Sequence, residues 1–338
     1  MEFGVFDHLD RGAVPLRQFY EDRLALAEAY DRAGFYSYHL AEHHATPLGM
    51  APSPSVFLAA LAQRTKRLRF GPMVYCLPLY HPLRLVEEIC MLDQMSRGRL
   101  DLGTGRGISP IEIGYYGVDP DAAQRMYAEC WQVVLQGLTR KTVDFTGEFY
   151  RFADVPMELE PYQKPHPPLW YGVSKADSAE RAAQHGLSFV LNATVEGARA
   201  IVDAYRAALA PGAREPKLGL NQYIVVAGSD EEALAIARPA YRVWHKNFHT
   251  LWRKHGIPPV GARYGPEFDD QAAEGRAFAG SVETAIRVLR QRVADSGVNY
   301  LVGRFAFGDM ALAHSLQSVD LFARHVMPAL RGRAAAAE

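Results

Sequence analysis

The chain has 338 residues, 49% of them hydrophobic and 22% charged, which supplies a large buried core and argues against disorder ahead of the C-terminal RGRAAAAE. Its 37 lysines and arginines stand against 38 acids, a formal net charge of −1, so there is no electrostatic footprint for nucleic acid or an anionic membrane. No apolar run reaches the roughly 20 residues that cross a bilayer, and MEFGVFDHLD lacks the basic and then apolar order of a secretory signal, so a soluble, cytoplasmic protein is expected.

In chain order, short strands alternate with amphipathic helices. Glu2 to Phe6 reads as a strand and Leu16 to Arg32 as a helix with Gly34 as its stop. Tyr36 to Leu40, Leu68 to Tyr75 and Arg99 to Leu102 read as the next three strands, separated by helices Pro54 to Arg64 and His81 to Met95. A fourth helix, Asp121 to Leu138, leads into VDFTGEFYRF, two alternating runs about Thr146 and Gly147 that read as an inserted hairpin. Strands follow at Leu169 to Gly172, Ser188 to Leu191 and Gly219 to Val226, with helices Ala176 to His185 and Val195 to Leu209 between them. A long departure from this rhythm starts after Ser229 and carries the aromatic stretch YRVWHKNFHTLWRKHG, then a proline- and glycine-rich loop from Ile257 to Pro266. Helix Val282 to Ala294, strand Tyr300 to Gly303 and helix Leu312 to Met327 bring the total to eight strands. Parallel strands need such crossovers, and eight of them favour an α/β fold of one (β/α)8 TIM barrel over an open doubly wound sheet. The barrel domain would occupy residues 1–330, with residues 331–338 a frayed tail. Cys76, Cys90 and Cys130 fall in different elements without CxxC spacing, and read as small core residues rather than a disulfide framework or a metal site.

In such a barrel the chemistry sits just after the C-terminal ends of the strands, and those positions are unusually polar here. Arg106 lies between Gly105 and Gly107, so its guanidinium and the adjacent amides are open to an anion. With Thr104 before it and Ser174 and Lys175 at the start of a helix, it suggests a phosphate cup for a mononucleotide. Ser174 reads equally as a helix cap. His43 and His44 have three readings: metal ligands, a core histidine beside a surface one, or an acid/base with a structural neighbour that Glu42 could orient. Met73 and Val74 form an apolar wall suited to a flat ring.

The stretches EFGVF at residues 2–6, AEHH from Ala41 to His44, GPMVYCLPLYHP from Gly71 to Pro82, LDQMSRGRLDLGTGRG from Leu92 to Gly107 and SVDLFARHVMPAL from Ser318 to Leu330 resemble the bacterial luciferase family of flavin-dependent monooxygenases. The resemblance implies reduced FMN as cofactor, delivered by a separate NAD(P)H:flavin reductase, and O2 as co-substrate. It implies insertion of one oxygen atom, by way of a flavin C4a-peroxide, into a small and mostly apolar aldehyde, ketone or terpene-like substrate. It makes His43 the catalytic histidine and places the flavin phosphate on Arg106 and the Ser174 turn, with Lys175 more loosely attached. It implies a cis peptide between Met73 and Val74 beneath the flavin. His44, Tyr75, Trp244 and Phe248 are the expected substrate-pocket residues, and no metal is expected. Gly105 stands where the light-emitting α subunit has a reactive cysteine, so light emission is not implied. The family also implies a homodimer through the helices Pro54 to Arg64 and His81 to Met95. A mobile cover is expected over Ile257 to Ala279, where periodicity is weak and glycines are frequent. The alternatives from other classes are hydride transfer with the deazaflavin F420 on the same barrel, and a non-catalytic flavin-binding protein.

Overall fold

A computed structural model describes residues 1–259 and 264–332. The elements run β1 (Glu2–Asp7), α1 (Leu16–Ala33), β2 (Ser37–Leu40), α2 (Pro54–Arg64), β3 (Arg69–Pro72), β4 (Tyr75–Cys76), α3 (Pro82–Ser96), β5 (Leu102–Gly105), α4 (Pro110–Tyr115) and α5 (Ala123–Thr139). The middle of the chain contributes β6 (Thr142–Thr146), β7 (Arg151–Pro156), β8 (Leu169–Tyr171), α6 (Ala176–Gln184), β9 (Ser188–Leu191), α7 (Val195–Ala208) and β10 (Leu218–Val226). After it come α8 (Asp230–Phe248), α9 (Thr250–His255), α10 (Phe268–Ala273), β11 (Ala277–Gly280), α11 (Val282–Ser296), β12 (Tyr300–Arg304) and α12 (Leu312–Leu321). The last of these continues through a π turn, Phe322–Val326, into α13 (Met327–Arg331).

The parallel sheet has the order β3-β2-β1-β12-β10-β9-β8-β5-β4. β3 pairs with β2 and β4 pairs with β5, so these two short pieces are halves of one barrel strand, interrupted at the cis peptide bond Met73–Val74. A bridge from Phe70 to Leu100 joins that strand to the chain just before β5. The sheet thus returns on itself as a nearly closed barrel of eight strand positions, as the alternation of strands and helices predicts.

Some boundaries differ from the expectation, for physical reasons. The third strand is broken rather than continuous from Leu68 to Tyr75. The fourth is shifted three residues onward, from Arg99–Leu102 to Leu102–Gly105. Arg99 turns its guanidinium onto the Ala62 and Leu68 carbonyls and the Thr65 hydroxyl, which ties its segment to the preceding turn. The glycines can then enter the ladder because strands meet closely there: a Cβ at Gly103 would strike the Pro72 carbonyl, and one at Gly71 the Asp101 carbonyl. Of the described part of Ile257–Ala279, expected as a mobile cover, residues 257–259 and 264–267 lie outside helix and strand, whereas the remainder is packed into the fold. Phe268 and Gln271 of α10 are fully buried, and Ala277–Gly280 form a strand on the outer half of β10. Gly261 lies outside the described residues, as do residues 333–338 of the tail; Arg331 closes α13. The short α4 was not expected from sequence.

The largest apolar core lies between the strands and α1, α2, α3, α5, α11 and α12, with smaller ones beneath α6 and α7 and beneath α8. The barrel interior holds Phe6, Trp170, Val190, Tyr300 and Val302. All three cysteines are buried and free. The hairpin β6–β7 is antiparallel and separate from the barrel. Among the described residues no helix is long and apolar enough to cross a membrane.

Candidate active site

The side chains that could do chemistry emerge together at the C-terminal rim, each from a different strand: His8 after β1, His43 after β2, Met73 and Val74 within the broken third strand, Arg106 after β5, Ser174 after β8, Asn192 after β9 and Arg304 at the end of β12. His43 and His44 leave the strand in opposite directions, as alternation requires. The Nδ1 atom of His43 lies 3.1 Å from Glu112 Oε1, and Glu112 Oε2 accepts from the His44 backbone N–H at 2.7 Å. Glu112 occupies the third position of α4, where the word SPIE gives a capping pattern: Ser109 Oγ accepts from the Glu112 N–H at 3.2 Å. Its carboxylate is then turned to the histidines instead of back on its own helix. Burial pushes this carboxyl up, but the His43 imidazole beside it and the two hydrogen bonds outweigh that and hold it below the usual carboxylate range. Glu112 therefore holds the His43 ring through Nδ1, and Nε2 is not engaged by it. Behind the ring, a Cβ at Gly49 would stand 2.8 Å from His43 Cβ, so the returning loop packs tightly against it.

The imidazole that Glu42 orients is that of His44, the neighbour of His43. Glu42 holds His44 Nε2 at 2.9 Å and accepts from the Tyr80 hydroxyl, while Tyr116 caps the other nitrogen of His44. His44 is thus tied on both sides away from the cleft, a structural role rather than the pocket role expected for it. Tyr75 likewise faces outward. It is fully buried against Tyr80 and hydrogen-bonds Ser55 of α2 at 2.8 Å, because strand alternation sends it to the helix layer. The cleft beside His43 is walled by Leu48, Ile108, Phe248, Leu251 and Trp252. Phe248 is therefore in place, whereas Trp244 lies one layer below, stacked on Phe248 and fully buried.

Pairing of β4 with β5 and of β5 with β8 sets the cis peptide, Arg106 and the Ser174 turn side by side on the rim, with Tyr75, Thr104 and Tyr171 in register. Arg106 is exposed, and its Nε donates to the carbonyl of Gly107 at 3.2 Å. Thr104 is buried, with its hydroxyl 3.4 Å from that of Tyr127. Ser174 does not cap α6. Lys175 holds that position, and Ser178 Oγ accepts from the Ser174 and Lys175 amides, which leaves the Ser174 and Lys175 side chains exposed beside Arg106. Gly105 has a structural reason to lack a side chain: a Cβ there would come within 2.6 Å of Val74 Cγ2. Among the described residues no group of three or more His, Cys, Asp or Glu is arranged to hold a metal ion.

Three further rim residues escape the sequence reading. His8 is buried, its ring centroid 5.6 Å from that of His43, with Trp244 Nε1 donating to its Nδ1 at 3.5 Å. Burial first, and then Arg304 and His43, push its pKa well down, so it is neutral. Arg304 donates to the Tyr223 hydroxyl and, at 2.8 Å, to Asn192 Oδ1. Only Glu112 had a usable sequence signal, the capping word around it.

Fold and site together define an α/β-barrel protein with a carboxylate-fixed histidine and an exposed arginine on one rim. The chain belongs to the luciferase-like monooxygenase family, whose model matches residues 1–300. It is 42% identical to the uncharacterised protein y4wF of Sinorhizobium fredii over 94% of this chain and 93% of that protein. It is 29% identical to the oxygenase component of the flavin-dependent trigonelline monooxygenase of Acinetobacter baylyi, over 75% and 72% of the two chains. Among solved structures it resembles the monooxygenase RslO1 of Streptomyces bottropensis, with a TM-score of 0.85, 26% identity and coverage of 97% and 99%.

Proposed function

We propose that this protein is the oxygenase component of a two-component flavin monooxygenase, a cytoplasmic enzyme that receives reduced FMN from a separate NAD(P)H:flavin reductase and uses O2 to oxidise a small, mostly apolar compound. The observation that carries this reading is the His43–Glu112 pair, set at the edge of an apolar cleft on the rim that also bears Arg106. The named activity of the A. baylyi relative supports the flavin and the oxygenase class.

The residues fit the cofactor. Among the described residues Arg106 has no carboxylate partner, and with the Ser174 hydroxyl, Lys175 and the start of the nine-residue α6 it supplies donors matched to a phosphate. Met73 and Val74, both half-buried, give an apolar surface for a flat ring. When bound, reduced FMN supplies the electrons that activate O2. The protein's share is to bind and orient substrate, to exclude water with Phe248, Leu251 and Trp252, and to hold or move a proton at His43 Nε2. Glu112 stabilises the imidazolium when that nitrogen takes a proton.

The test is His43→Ala assayed with reduced FMN and a panel of aldehydes, ketones and terpenes. The variant should bind FMN within a few-fold of the wild type, yet lose about 100-fold in product formation, with oxygen diverted to hydrogen peroxide. Normal coupling of oxygen to product would remove His43 from the chemistry.

A further inference from the structure

Arg304 is a cation without a counter-ion. It is 3% exposed, and among the described residues no carboxylate lies within ion-pair distance of it. Its hydrogen bonds go to two neutral groups, the Tyr223 hydroxyl and Asn192 Oδ1, and its Nε is buried with no partner. The guanidinium is packed 4.9 Å from the Phe6 ring centroid, 4.5 Å from that of Tyr223 and 5.7 Å from that of Trp244. Aromatic faces and neutral hydrogen bonds keep an arginine charged and oriented, but they do not neutralise it. Beside it, Asn221 donates to Asn192 Oδ1 and leaves its own buried Oδ1 unpartnered.

The position of this cation is informative. In the barrel order β12 is the fourth strand from β5 in either direction, so Arg304 stands across the mouth from Arg106. It cannot belong to the same anion cup. It lies with His8 and Trp244 on the side that faces His43, where a substrate would meet the acid/base.

We propose that Arg304 anchors the carboxylate of a small, otherwise apolar carboxylic acid, making an anionic group part of what this site selects. The proposal deepens the reading of the rim as an oxygenase site and rests on it. The carboxylate accepts from the free Nε–H, Trp244 and Phe6 enclose the apolar part, and Asn221 Oδ1 remains to accept from a hydroxyl or N–H on the same molecule. A neutral isostere would leave the buried guanidinium as it is now, which is the basis of the selectivity.

Calorimetric titration of the full chain with benzoate and hexanoate against benzamide and hexanamide tests this, with and without FMN. The acids should bind at least about tenfold more tightly than the amides. Arg304→Gln should erase that difference and leave FMN affinity within about twofold, while Arg304→Lys should restore part of it. The comparison of acid with amide on the wild type needs no variant, so a misfolded substitution does not block it. Equal binding of acid and amide, or no binding of either, would overturn the proposal. So would an Arg304→Gln variant that keeps the preference, or one that weakens FMN and riboflavin alike, which would assign Arg304 to the flavin ring. Loss of the flavin reading shows separately, as absence of FMN binding with the acid preference intact.

Discussion

Glu112 reaches His43 across 69 positions of sequence and makes one of two adjacent histidines different from the other. His44 meets Glu42, two residues away, and is locked by Tyr116; His43 keeps one nitrogen toward the cleft. The histidine pair was legible as a candidate, but the carboxylate that separates their roles was not, because α4 is brought to β2 only by the fold. Arg106 was legible because glycines flank it. If it holds a phosphate, Arg106→Ala should weaken FMN about 10- to 100-fold and leave riboflavin nearly unchanged, as measured by fluorescence quenching. Equal losses would remove it from the cup. His39 offers a pH test independent of function. It is fully buried beside Tyr300 and Trp170, and burial lowers its pKa from 6.5 to about 3. Below pH 6.5 the unfolded chain takes up a proton at this site that the folded protein refuses, so the unfolded state binds more protons and stability falls as pH falls. From pH 6.5 down to about 3 this group should contribute a loss approaching about 1.4 kcal/mol per pH unit. Urea melts across that range should show a shallower acid slope in His39→Gln; an unchanged slope would contradict the assignment.

At the level of elements, the links between helices and strands are held by single side chains that no periodicity reveals. Asp31, near the end of α1, accepts from the backbone N–H groups of Lys66, Arg67 and Leu68 at 2.9, 2.8 and 2.6 Å, which fixes the turn from α2 into β3. Burial raises its pKa, but those amides and Arg67 outweigh it and the carboxyl is held low. Asp31→Ala would leave three amides in this turn without their carboxylate and should cost about 3 kcal/mol, seen as a lower urea midpoint at unchanged slope. A change below about 0.5 kcal/mol would show that water replaces the carboxylate. The helices were legible because their apolar residues repeat every three to four positions. The fourth strand was misplaced because LGTG looks like a turn; it is a strand only because the neighbouring strands come too close for side chains. The strand AFAG, four small or apolar residues, gave no alternation to read, and its partner β10 lies far upstream, Val226 pairing with Gly280.

For the whole molecule, the eight-fold alternation carried the architecture, and the comparisons with known proteins agree with it. Association is less visible in sequence, since an apolar helix position can face either the core or another chain. On α2 and α3, Val56, Met91 and Met95 are 72%, 53% and 48% exposed. We expect these helices to meet a second copy, giving a homodimer in which the patch is buried. Sedimentation should show a dimer at micromolar concentration, and Met91→Glu should shift it to monomer. A wild-type monomer at that concentration would refute the pairing.

The pairing of β10 with β11 has a consequence for how such a protein can be remade. Val226 and Gly280 are register partners, and the Ala227 N–H donates to the Gly280 carbonyl, so the chain leaves the barrel and rejoins it at neighbouring points. The segment between them, including Phe248, Leu251 and Trp252 of the cleft wall, is a cassette whose two ends are already clamped together by the sheet. Exchanging it for a segment of different length adds little closure entropy, since that cost grows only with the logarithm of loop length. One side of the cleft can therefore be rewritten by transplanting a single continuous segment, while His43, Glu112, Arg106 and the Ser174 turn stay in place on strands that the transplant does not touch.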